Sequence, residues 1–216
     1  MNIGVLGTGI VARTLGRRLV ELGHSVALGS RDPNHPAATE WLATVGTARG
    51  SRAGTFADAA THGAVLINAT SGAGSIAAIR SAGERNLHGK VLLDVSNPLD
   101  FSSGELHLSV VNTDSLAEQI QRSFPDVRVV KTLNTVNAEV MVHPERLPEE
   151  TSMFVAGDDP EAKATAADLL RSLGWRSILD LGGITAARGM EMYLVLWLSI
   201  MQTQQGAMFN VKVVRA

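Results

Sequence analysis

Short apolar runs alternate with amphipathic segments along most of the chain. The runs have the length of β-strands, and we predict strands at residues 2–6, 25–28, 64–69, 90–95, 128–133, 152–156 and 177–180, with a last strand at 208–214. The segments between them carry helix-start signals, such as the capping box S-L-A-E at 115–118 and the N-cap Asp159 before Pro160. Strands that are apolar on both faces and alternate with helices are typical of a parallel sheet covered on both sides. We therefore predict an α/β protein of Rossmann type, with a doubly wound, mainly parallel sheet and a small C-terminal extension of helix and strand.

The longest apolar run is M-Y-L-V-L-W-L-S-I-M at 192–201. It has about half of the roughly 20 residues that cross a bilayer, so we predict no membrane partner. Because the run is apolar on nearly every face, we expect a fully buried helix or a subunit interface. A homodimer that forms through the helix at 184–205 is the expected assembly.

Composition narrows the class of partner. The 216 residues carry a formal net charge of -2 and no basic stripe, so we predict no nucleic-acid partner. The chain has no cysteine, and none of its six histidines stands at a metal-ligand spacing, so we predict no metal site. The sequence opens on a strand rather than on a signal peptide, which favours a cytoplasmic location. Small molecules are the expected partners.

A glycine-rich loop follows the first predicted strand directly. G-T-G-I-V-A at 7–12 matches the pattern G-x-G-x-x-[GA], in which Gly7 makes a tight turn, Gly9 leaves bare backbone facing a pyrophosphate, and Ala12 lets the helix pack on the strand. The N-terminus of the next helix offers unpaired N–H groups to the phosphates. This loop predicts a dinucleotide-binding site.

A second match to the same pattern, G-A-G-S-I-A at 72–77, also follows a predicted strand. We prefer the first loop, because N-A-T-S separates the second loop from its strand and because Asp94 lies within a strand rather than at its end. The second loop is interpreted as a lip of the site near the ribose and the nicotinamide, with Asn68, Ala69 and Thr70 at the strand end.

Ser30 and Arg31 lie at the end of the second predicted strand, about 20 residues after the phosphate glycines. An acid at this place binds the ribose 2′-hydroxyl of NAD, whereas arginine favours the 2′-phosphate of NADP. A charge-assisted contact of about 1.5–3 kcal/mol corresponds to about a ten- to hundredfold preference for NADP. Asp32 is the alternative partner for a hydroxyl, but it precedes Pro33 and stands one residue past the arginine. We therefore predict NADP(H).

Polar residues follow two further predicted strands at the same edge of the sheet: Ser96, Asn97 and Pro98 after the first, and Asn134, Thr135 and Asn137 after the second. Amides at strand ends can be plain turn formers, and the functional interpretation is that they bind the nicotinamide carboxamide and orient the acceptor. Lys131 is either a general acid or a partner of Asp94. Glu191 has either a substrate role or a place in a helix first turn or an interface ion pair. Trp197 is assigned to core or interface packing in preference to a ring-stacking platform.

Several segments together resemble the F420-dependent NADP reductase family over nearly the full length of the chain. They are G-T-G-I-V-A at 7–12, G-S-R at 29–31, V-V-K-T-L-N-T-V-N-A-E-V-M at 129–141, V-A-G-D-D at 155–159 and L-G-G-I-T-A-A-R-G-M-E at 181–191. That family is also similar to the cytosolic reductase domains of membrane metalloreductases. The resemblance implies hydride transfer between NADPH and the deazaflavin coenzyme F420.

The resemblance also implies roles for individual residues. It places Thr8, Gly9, Ile10 and Val11 on the pyrophosphate, Ser30 and Arg31 on the 2′-phosphate, and Asn134, Thr135, Val136 and Asn137 beside the nicotinamide and the second substrate. Asn134 and Asn137 are the candidate catalytic residues. The chain departs from the family at Asn134, where histidine is common, and at Met192 and Leu194, where small hydroxyl residues line the deazaflavin pocket. FMN, FAD or a small carbonyl or imine compound are therefore alternative acceptors.

The leading hypothesis is an NADPH-dependent oxidoreductase that transfers hydride between NADP(H) and coenzyme F420 or a related flavin-type acceptor. Residues 1–144 are expected to form the NADP-binding domain, and 145–216 to complete the sheet and supply the acceptor site and the dimer interface. One alternative is a reductase of small carbonyl or imine substrates, in which Lys131 or Tyr193 donates a proton. The other is a sensor that binds NADP(H) without chemistry.

Overall fold

The computed structural model describes residues 1–47, 49–104 and 106–215. Its strands are β1 (Asn2–Leu6), β2 (Ser25–Ser30), β3 (Arg52–Thr55), β4 (Val65–Asn68), β5 (Val91–Asp94), β6 (Leu99–Asp100), β7 (His107–Leu108), β8 (Arg128–Thr132), β9 (Ser152–Ala156) and β10 (Ser177–Asp180). Its α-helices are α1 (Ile10–Glu21), α2 (Pro36–Val45), α3 (Phe56–His62), α4 (Gly72–Ala82), α5 (Glu84–Leu87), α6 (Leu116–Ser123), α7 (Ala138–Val142), α8 (Pro160–Ser172) and α9 (Ala187–Thr203). Short 3₁₀ turns lie at Pro144–Arg146 and Ile184–Ala186.

Eight strands form one sheet in the order β10-β9-β8-β5-β4-β1-β2-β3, and β6 and β7 form a separate antiparallel hairpin. Neighbours in the large sheet are parallel, except for the antiparallel pair β8 and β9. The chain order reverses between β1 and β4, and ligands of such sheets bind at this point, outside the carboxyl ends of the strands. The predicted Rossmann-type fold is confirmed.

Both faces of the sheet are covered, as the two-sided apolar strands predict. In β5, Leu93 packs in one core cluster with Ile3 and Leu28, whereas its neighbour Leu92 packs with Leu66 in the cluster on the opposite face. Successive side chains of a strand point to opposite faces, so a strand buried on both sides must be apolar throughout. The sheet is therefore a rigid frame for the loops at its carboxyl edge.

The C-terminal part of the chain extends the same sheet through β9, α8 and β10. The start of α8 has the predicted capping geometry, because the Asp159 side chain accepts a hydrogen bond from Ala162 N at 2.8 Å and Pro160 occupies the first helical position. α6 begins in the same way, with the Ser115 hydroxyl accepting from Glu118 N at 3.1 Å.

The predicted strand at 208–214 is wrong. These residues have irregular structure, although Ser152 N donates to Val211 O at 2.9 Å and Val213 N donates to Ser152 Oγ at 3.0 Å. In the described chain β8 pairs with β9 only at Val155 and Ala156, and the C-terminal segment meets the start of β9 at Ser152 alone. Only one of its hydrogen bonds to Ser152 joins backbone to backbone, so no ladder forms. β3 is not among the predicted strands, because its sequence R-A-G-T has no large apolar residue.

α9 contains the long apolar run and packs by one face only. Met190, Leu194 and Trp197 are buried, whereas Val195 and Leu196 are each 56% exposed. In the single chain α9 is therefore not buried on every side, and the subunit interface stays a prediction. Together with the turn before it, the segment Ile184–Thr203 is long and apolar enough to cross a membrane by length and composition, a criterion that core helices of soluble proteins also meet.

Candidate dinucleotide and acceptor site

The loop between β1 and α1 has the geometry of a phosphate-binding turn. Gly7 has a φ of +127°, and a Cβ atom there would lie 2.6 Å from the carbonyl oxygen of Ala69, so a residue with a side chain does not fit. Gly9 faces open space, because within the described chain an ideal Cβ at this position has no heavy atom within 4 Å. The described residues also provide no side-chain cap for α1, so its first N–H groups are free to bind an anion.

The other predicted loop residues lie around this turn. Thr8 and Val11 are half-buried, Ile10 is 69% exposed, and Ala12 is fully buried against the sheet. The small Ala12 side chain lets α1 approach the strands closely, as the glycine pattern requires. The accessible part of the loop therefore includes backbone and the aliphatic side chains of Ile10 and Val11.

The second glycine-rich loop has a packing role that explains its first glycine. A Cβ at Gly72 would collide with the carbonyl group of Asn97 and with Pro98, so α4 packs directly on the loop after β5. Pro98 is buried there, and its carbonyl oxygen accepts a hydrogen bond from Ser109 N at 2.8 Å. A glycine that is required for close packing is not by itself a sign of a phosphate site.

The end of β2 leaves an arginine available to a ligand. Arg31 is exposed and makes no hydrogen bond or ion pair within the described chain, whereas Ser30 is buried and its hydroxyl donates to the carbonyl oxygen of Asp32. The Asp32 carboxylate accepts from Asn34 N at 2.9 Å, which closes a local turn. One oxygen of the Asp32 carboxylate is therefore used in its own turn, whereas the Arg31 guanidinium is wholly available to a 2′-phosphate.

A buried ion-pair cluster lies behind the cleft. Lys131 is 0% exposed, and its Nζ lies 2.8 Å from Asp94 Oδ2 and 2.9 Å from Glu191 Oε1. Burial lowers the pKa of the Lys131 ammonium, the charges of Asp94 and Glu191 raise it, and the net direction is upward. Lys131 is thus a charged partner of Asp94 and does not reach the cleft as a proton donor.

Glu191 brings two helices to this cluster. Its Oε2 accepts from Leu116 N at 2.8 Å and its Oε1 accepts from Ala117 N at 3.1 Å, both in the first turn of α6. A carboxylate is stabilised at a helix N-terminus by the free N–H groups and the positive end of the helix dipole. Glu191 therefore links α9 to α6 and, through Lys131, to β8.

Asn68 and Ser96 belong to the same buried network. Asn68 Nδ2 donates to Asp94 Oδ1 at 2.8 Å, Ser96 Oγ donates to the same oxygen at 2.6 Å, and Thr70 Oγ1 donates to Asn68 Oδ1 at 2.7 Å. Asn68 and Ser96 are 0% and 4% exposed. Their side chains support the cleft from behind, and Ala69 and Thr70 are the half-buried residues at this strand end.

Asn134 and Asn97 form a reciprocal pair across the ends of β8 and β5. Asn134 Nδ2 donates to Asn97 Oδ1 at 2.9 Å, and Asn97 Nδ2 donates to Asn134 O at 2.9 Å. The turn that presents Asn134 begins at Leu133, which has a φ of +60°. A second Asn134 Nδ2 bond, to Met190 O at 2.9 Å, ties the pair to α9. Within the described chain, Asn134 Oδ1 is buried and has no partner.

The Asn137 side chain is fully used in structural contacts. Its Oδ1 accepts from Val140 N at 2.8 Å and so caps α7, and its Nδ2 donates to the carbonyl oxygen of Ala207 at 2.6 Å. Asn137 therefore anchors the C-terminal segment next to the cleft. Phe209 of that segment stacks on Trp197, with ring centroids 5.3 Å apart.

These elements border an open cleft of about 380 Å³ beside the glycine loop. It is lined by Ile10, Val11, Val95, Asn97, Asn134, Val136, Asn137, Ala138, Glu139, Met141, Leu194 and Trp197. The structure thus brings together six of the residues predicted from sequence: Ile10, Val11, Asn97, Asn134, Val136 and Asn137. Most of the wall is apolar, and no lysine, arginine or histidine lines it among the described residues. Such a cleft suits a flat, largely uncharged ring.

Trp197 is the cleft residue that sequence reasoning assigned elsewhere. It lies three residues after Leu194 on α9, and both face the cleft. This spacing places two residues on one face of a helix, which is the signal that could have paired them. Val95 and Met141 also line the cleft, and nothing in the local sequence separates them from ordinary core residues.

A free helix N-terminus at a glycine turn, an available arginine at the end of β2 and an adjoining apolar cleft define the class: a Rossmann-type, NADP(H)-dependent oxidoreductase. Comparison with known proteins gives the family. The family model described as NADP oxidoreductase, coenzyme F420-dependent, matches residues 2–98. A candidate F420-dependent NADP-reductase from Arthrobacter sp. FB24 has a crystal structure that is 48% identical in sequence, with a TM-score of 0.94 and 100% of both chains covered. The chain belongs to the F420-dependent NADP reductase family.

More distant relatives agree with this placement. The F420-dependent NADP reductase of Methanothermobacter marburgensis is 28% identical over 199 residues, which cover 88% of each chain. The metalloreductase STEAP3 of Rattus norvegicus is 31% identical over 191 residues, and the match covers 88% of this chain but 36% of the metalloreductase. This chain thus corresponds to about a third of that relative's length.

Proposed function

We propose that the protein transfers a hydride between NADP(H) and coenzyme F420 or a related flavin-type acceptor. The observation that carries the proposal is the apolar cleft of about 380 Å³ that adjoins the glycine loop. Hydride transfer between two rings depends mainly on holding them at close range in a dry site. NADPH would supply the hydride to the acceptor ring, and solvent the proton that completes the two-electron reduction. The protein's contribution is binding, orientation and exclusion of water.

The residues present fit NADP(H). Gly7, Thr8, Gly9, Ile10 and Val11 would surround the pyrophosphate at the start of α1, where open space at Gly9 lets the phosphates approach the backbone. Arg31 would bind the 2′-phosphate and supply the charge. Ser30, predicted at the same place, is buried and its hydroxyl donates to Asp32 O, so it would shape the turn that presents Arg31. Ala69, Thr70 and the loop of Pro98 would border the ribose and nicotinamide side.

Asn97 and Asn134 would receive the nicotinamide. The unpaired Asn134 Oδ1 is a buried acceptor at the cleft, and the carboxamide N–H of the nicotinamide is a donor of the right chemistry. Asn97 holds Asn134 in place through their reciprocal bonds. Asn68 and Ser96 act one layer behind, because they position the ends of β4 and β5 through Asp94.

A reductase of small carbonyl or imine compounds is less well supported by the site. Such a reaction requires a proton donor beside the substrate. Lys131 is enclosed by two carboxylates, and Tyr193 is not among the described residues that line the cleft. Burial raises the pKa of the Tyr193 phenol, which makes it a weaker acid. The flavin-type acceptor is therefore preferred.

Absorbance of NADPH at its nicotinamide band, followed in parallel with coenzyme F420, FMN and FAD, tests the proposal. We expect consumption of NADPH with coenzyme F420. Turnover with FMN or FAD alone would support hydride transfer to a flavin-type acceptor and would exclude coenzyme F420 as that acceptor. The absence of turnover with all three acceptors would overturn it.

We also propose a cytoplasmic homodimer that forms through α9. The exposed apolar pair Val195 and Leu196 lies on the face of α9 opposite the cleft residues, and a second copy would remove it from water. Light scattering at micromolar concentration is expected to give twice the chain mass, and replacement of both residues by serine is expected to give a monomer. A wild-type monomer at that concentration would contradict this assembly.

A further inference from the structure

Polar atoms in the cleft wall can be divided by whether the protein itself satisfies them. Asn97 and Asn137 use both ends of their amides in internal hydrogen bonds, and Glu139 pairs with Arg146 at 2.7 Å. Two buried side-chain polar atoms of cleft-lining residues have no partner in the described chain: Asn134 Oδ1, which is an acceptor, and Trp197 Nε1, which is a donor. Buried polar groups are normally hydrogen-bonded, so each unpaired atom at a cleft calls for a ligand group.

The orientation of the Asn134 amide is fixed by its neighbours. Its nitrogen donates to Met190 O, which can only accept, so the two amide atoms cannot be exchanged. The free atom is therefore the oxygen, which suits a donor such as the nicotinamide carboxamide. Among the buried side-chain atoms described in the wall, it leaves the indole N–H of Trp197 as the one donor without a partner.

The Trp197 ring is held in place by a stacking contact with Phe209. Trp197 is 8% exposed and stacks on Phe209 with an interplanar angle of 23°. The segment that carries Phe209 is anchored by the hydrogen bond from Asn137 to Ala207 O. Elsewhere in the core, Trp175 Nε1 donates to Met141 O at 3.0 Å, so the chain does satisfy an indole where a backbone carbonyl is in reach.

We propose that Trp197 is a specificity-determining residue, whose indole N–H donates a hydrogen bond to a carbonyl oxygen on the acceptor ring. This inference rests on the proposed function, because it concerns the acceptor half of the same cleft. It narrows the acceptor to flat heteroaromatic rings that bear a ring carbonyl, the class to which flavins and deazaflavins belong. The stacked Phe209 sets the position of the indole and so acts as a positioning residue.

Trp197→Phe tests the inference, since it keeps an aromatic ring against Phe209 and removes only the N–H. The dissociation constants of oxidised coenzyme F420 and of FMN are measured by ultrafiltration, and that of NADPH by fluorescence titration. Loss of one hydrogen bond is expected to weaken acceptor binding about tenfold. NADPH binding is expected to stay within twofold of wild type, because the cofactor does not use this hydrogen bond.

The matched control is Trp41→Phe. Trp41 is 4% exposed and its Nε1 also lacks a partner in the described chain, but it lies between α1 and α2, outside the cleft. The same chemical change there is expected to leave acceptor binding unchanged. A Raman difference spectrum adds a direct signature, because the carbonyl stretch of the bound acceptor should move to higher frequency in Trp197→Phe and stay in place in Trp41→Phe.

The outcomes separate the inference from the proposed function. Acceptor affinity within twofold of wild type in Trp197→Phe, or an unshifted carbonyl stretch, would overturn the inference and leave the proposed function standing. An equal loss of NADPH and acceptor affinity would mean that Trp197 only supports the fold, and would overturn it too. A wild-type protein that binds none of the acceptors would overturn the proposed function, and the inference with it.

Discussion

Replacement of Lys131 by methionine removes the cation from the buried cluster and keeps a side chain of similar length. Lys131 is fully buried, and both of its partners, Asp94 and Glu191, are buried as well. The variant confines two carboxylates near one another without the ammonium between them. Each keeps other hydrogen bonds, Asp94 from Asn68 and Glu191 from the start of α6, so the fold is expected to form and to be weakened.

Breaking a buried ion pair by removing one partner costs about 3–5 kcal/mol, because the remaining charge is left uncompensated. For a chain of this size each kcal/mol lowers Tm by about 2–4 °C, so a fall of roughly 6–20 °C is expected. The loss depends on pH. An orphaned buried carboxyl has a folded-state pKa above its unfolded value, so the variant recovers stability below pH ~4 and loses it as the pH rises.

Guanidinium unfolding followed by tryptophan fluorescence at several pH values measures the effect. Lys163→Met is the matched control, because Lys163 pairs with Asp180 at 2.8 Å at a partly exposed site and should cost less than about 1 kcal/mol. A loss below about 1 kcal/mol in Lys131→Met would show that the cluster does not hold the ends of β5, β8 and α9 together. A loss that is the same at every pH would show that no carboxylate is left uncompensated.

Three further changes probe the site and the fold. Arg31→Ala is expected to weaken the binding of NADPH about ten- to a hundredfold and that of NADH little, since only NADPH loses a charge-assisted contact. Titration of both nucleotides measures this, with Arg85→Ala at an exposed site as the control, and an equal loss for both nucleotides would contradict it. Gly9→Val fills open space beside the pyrophosphate position without a clash in the protein, so Tm should not change. Both nucleotides should bind at least about tenfold more weakly, and binding equal to wild type would show that this loop is not the pyrophosphate site. Hydrogen bonding from Arg122 lowers the pKa of Asp114 from 3.8 to about 2, so the carboxylate contributes stability above pH 3.8 that is lost as the pH falls through about 2. Wild type should therefore exceed Asp114→Asn by about 0.5–1 kcal/mol near neutral pH, and unfolding curves should converge between pH ~4 and ~2, whereas a constant gap would refute the assignment.

The hydrophobic pattern was sufficient to predict the central strands, because a strand buried on both faces must be apolar at every position. It failed at the edges of the sheet. Among the described strands β3 pairs with one neighbour only and needs no large apolar residue. The apolar segment 208–214 makes one backbone-to-backbone hydrogen bond to β9, at Ser152, and forms no strand. Whether a segment joins a sheet is decided by the neighbours available, which local sequence does not contain.

In the candidate site, too, some residues can be found from local sequence and others are brought together only by the fold. The turn at Gly7 and Gly9 is a local geometry with a local signature, so the sequence located it. Lys131 and Asp94 lie on adjacent strands and could be paired by register, but Glu191 reaches them from α9, about 60 residues further along the chain. The orientation of Trp197 toward the cleft likewise depends on how α9 packs, which only the assembled fold determines.

The most direct test of hydride transfer follows the hydrogen itself. NADPH deuterated on either face of nicotinamide C4 is mixed with the protein and coenzyme F420 in ordinary water, and the reduced acceptor is analysed by mass spectrometry. Carbon-bound deuterium in a reduced deazaflavin does not exchange with solvent, so direct transfer predicts a labelled product from one of the two NADPH samples. A product that is unlabelled from both samples, or NADPH that stays unoxidised, would contradict the account.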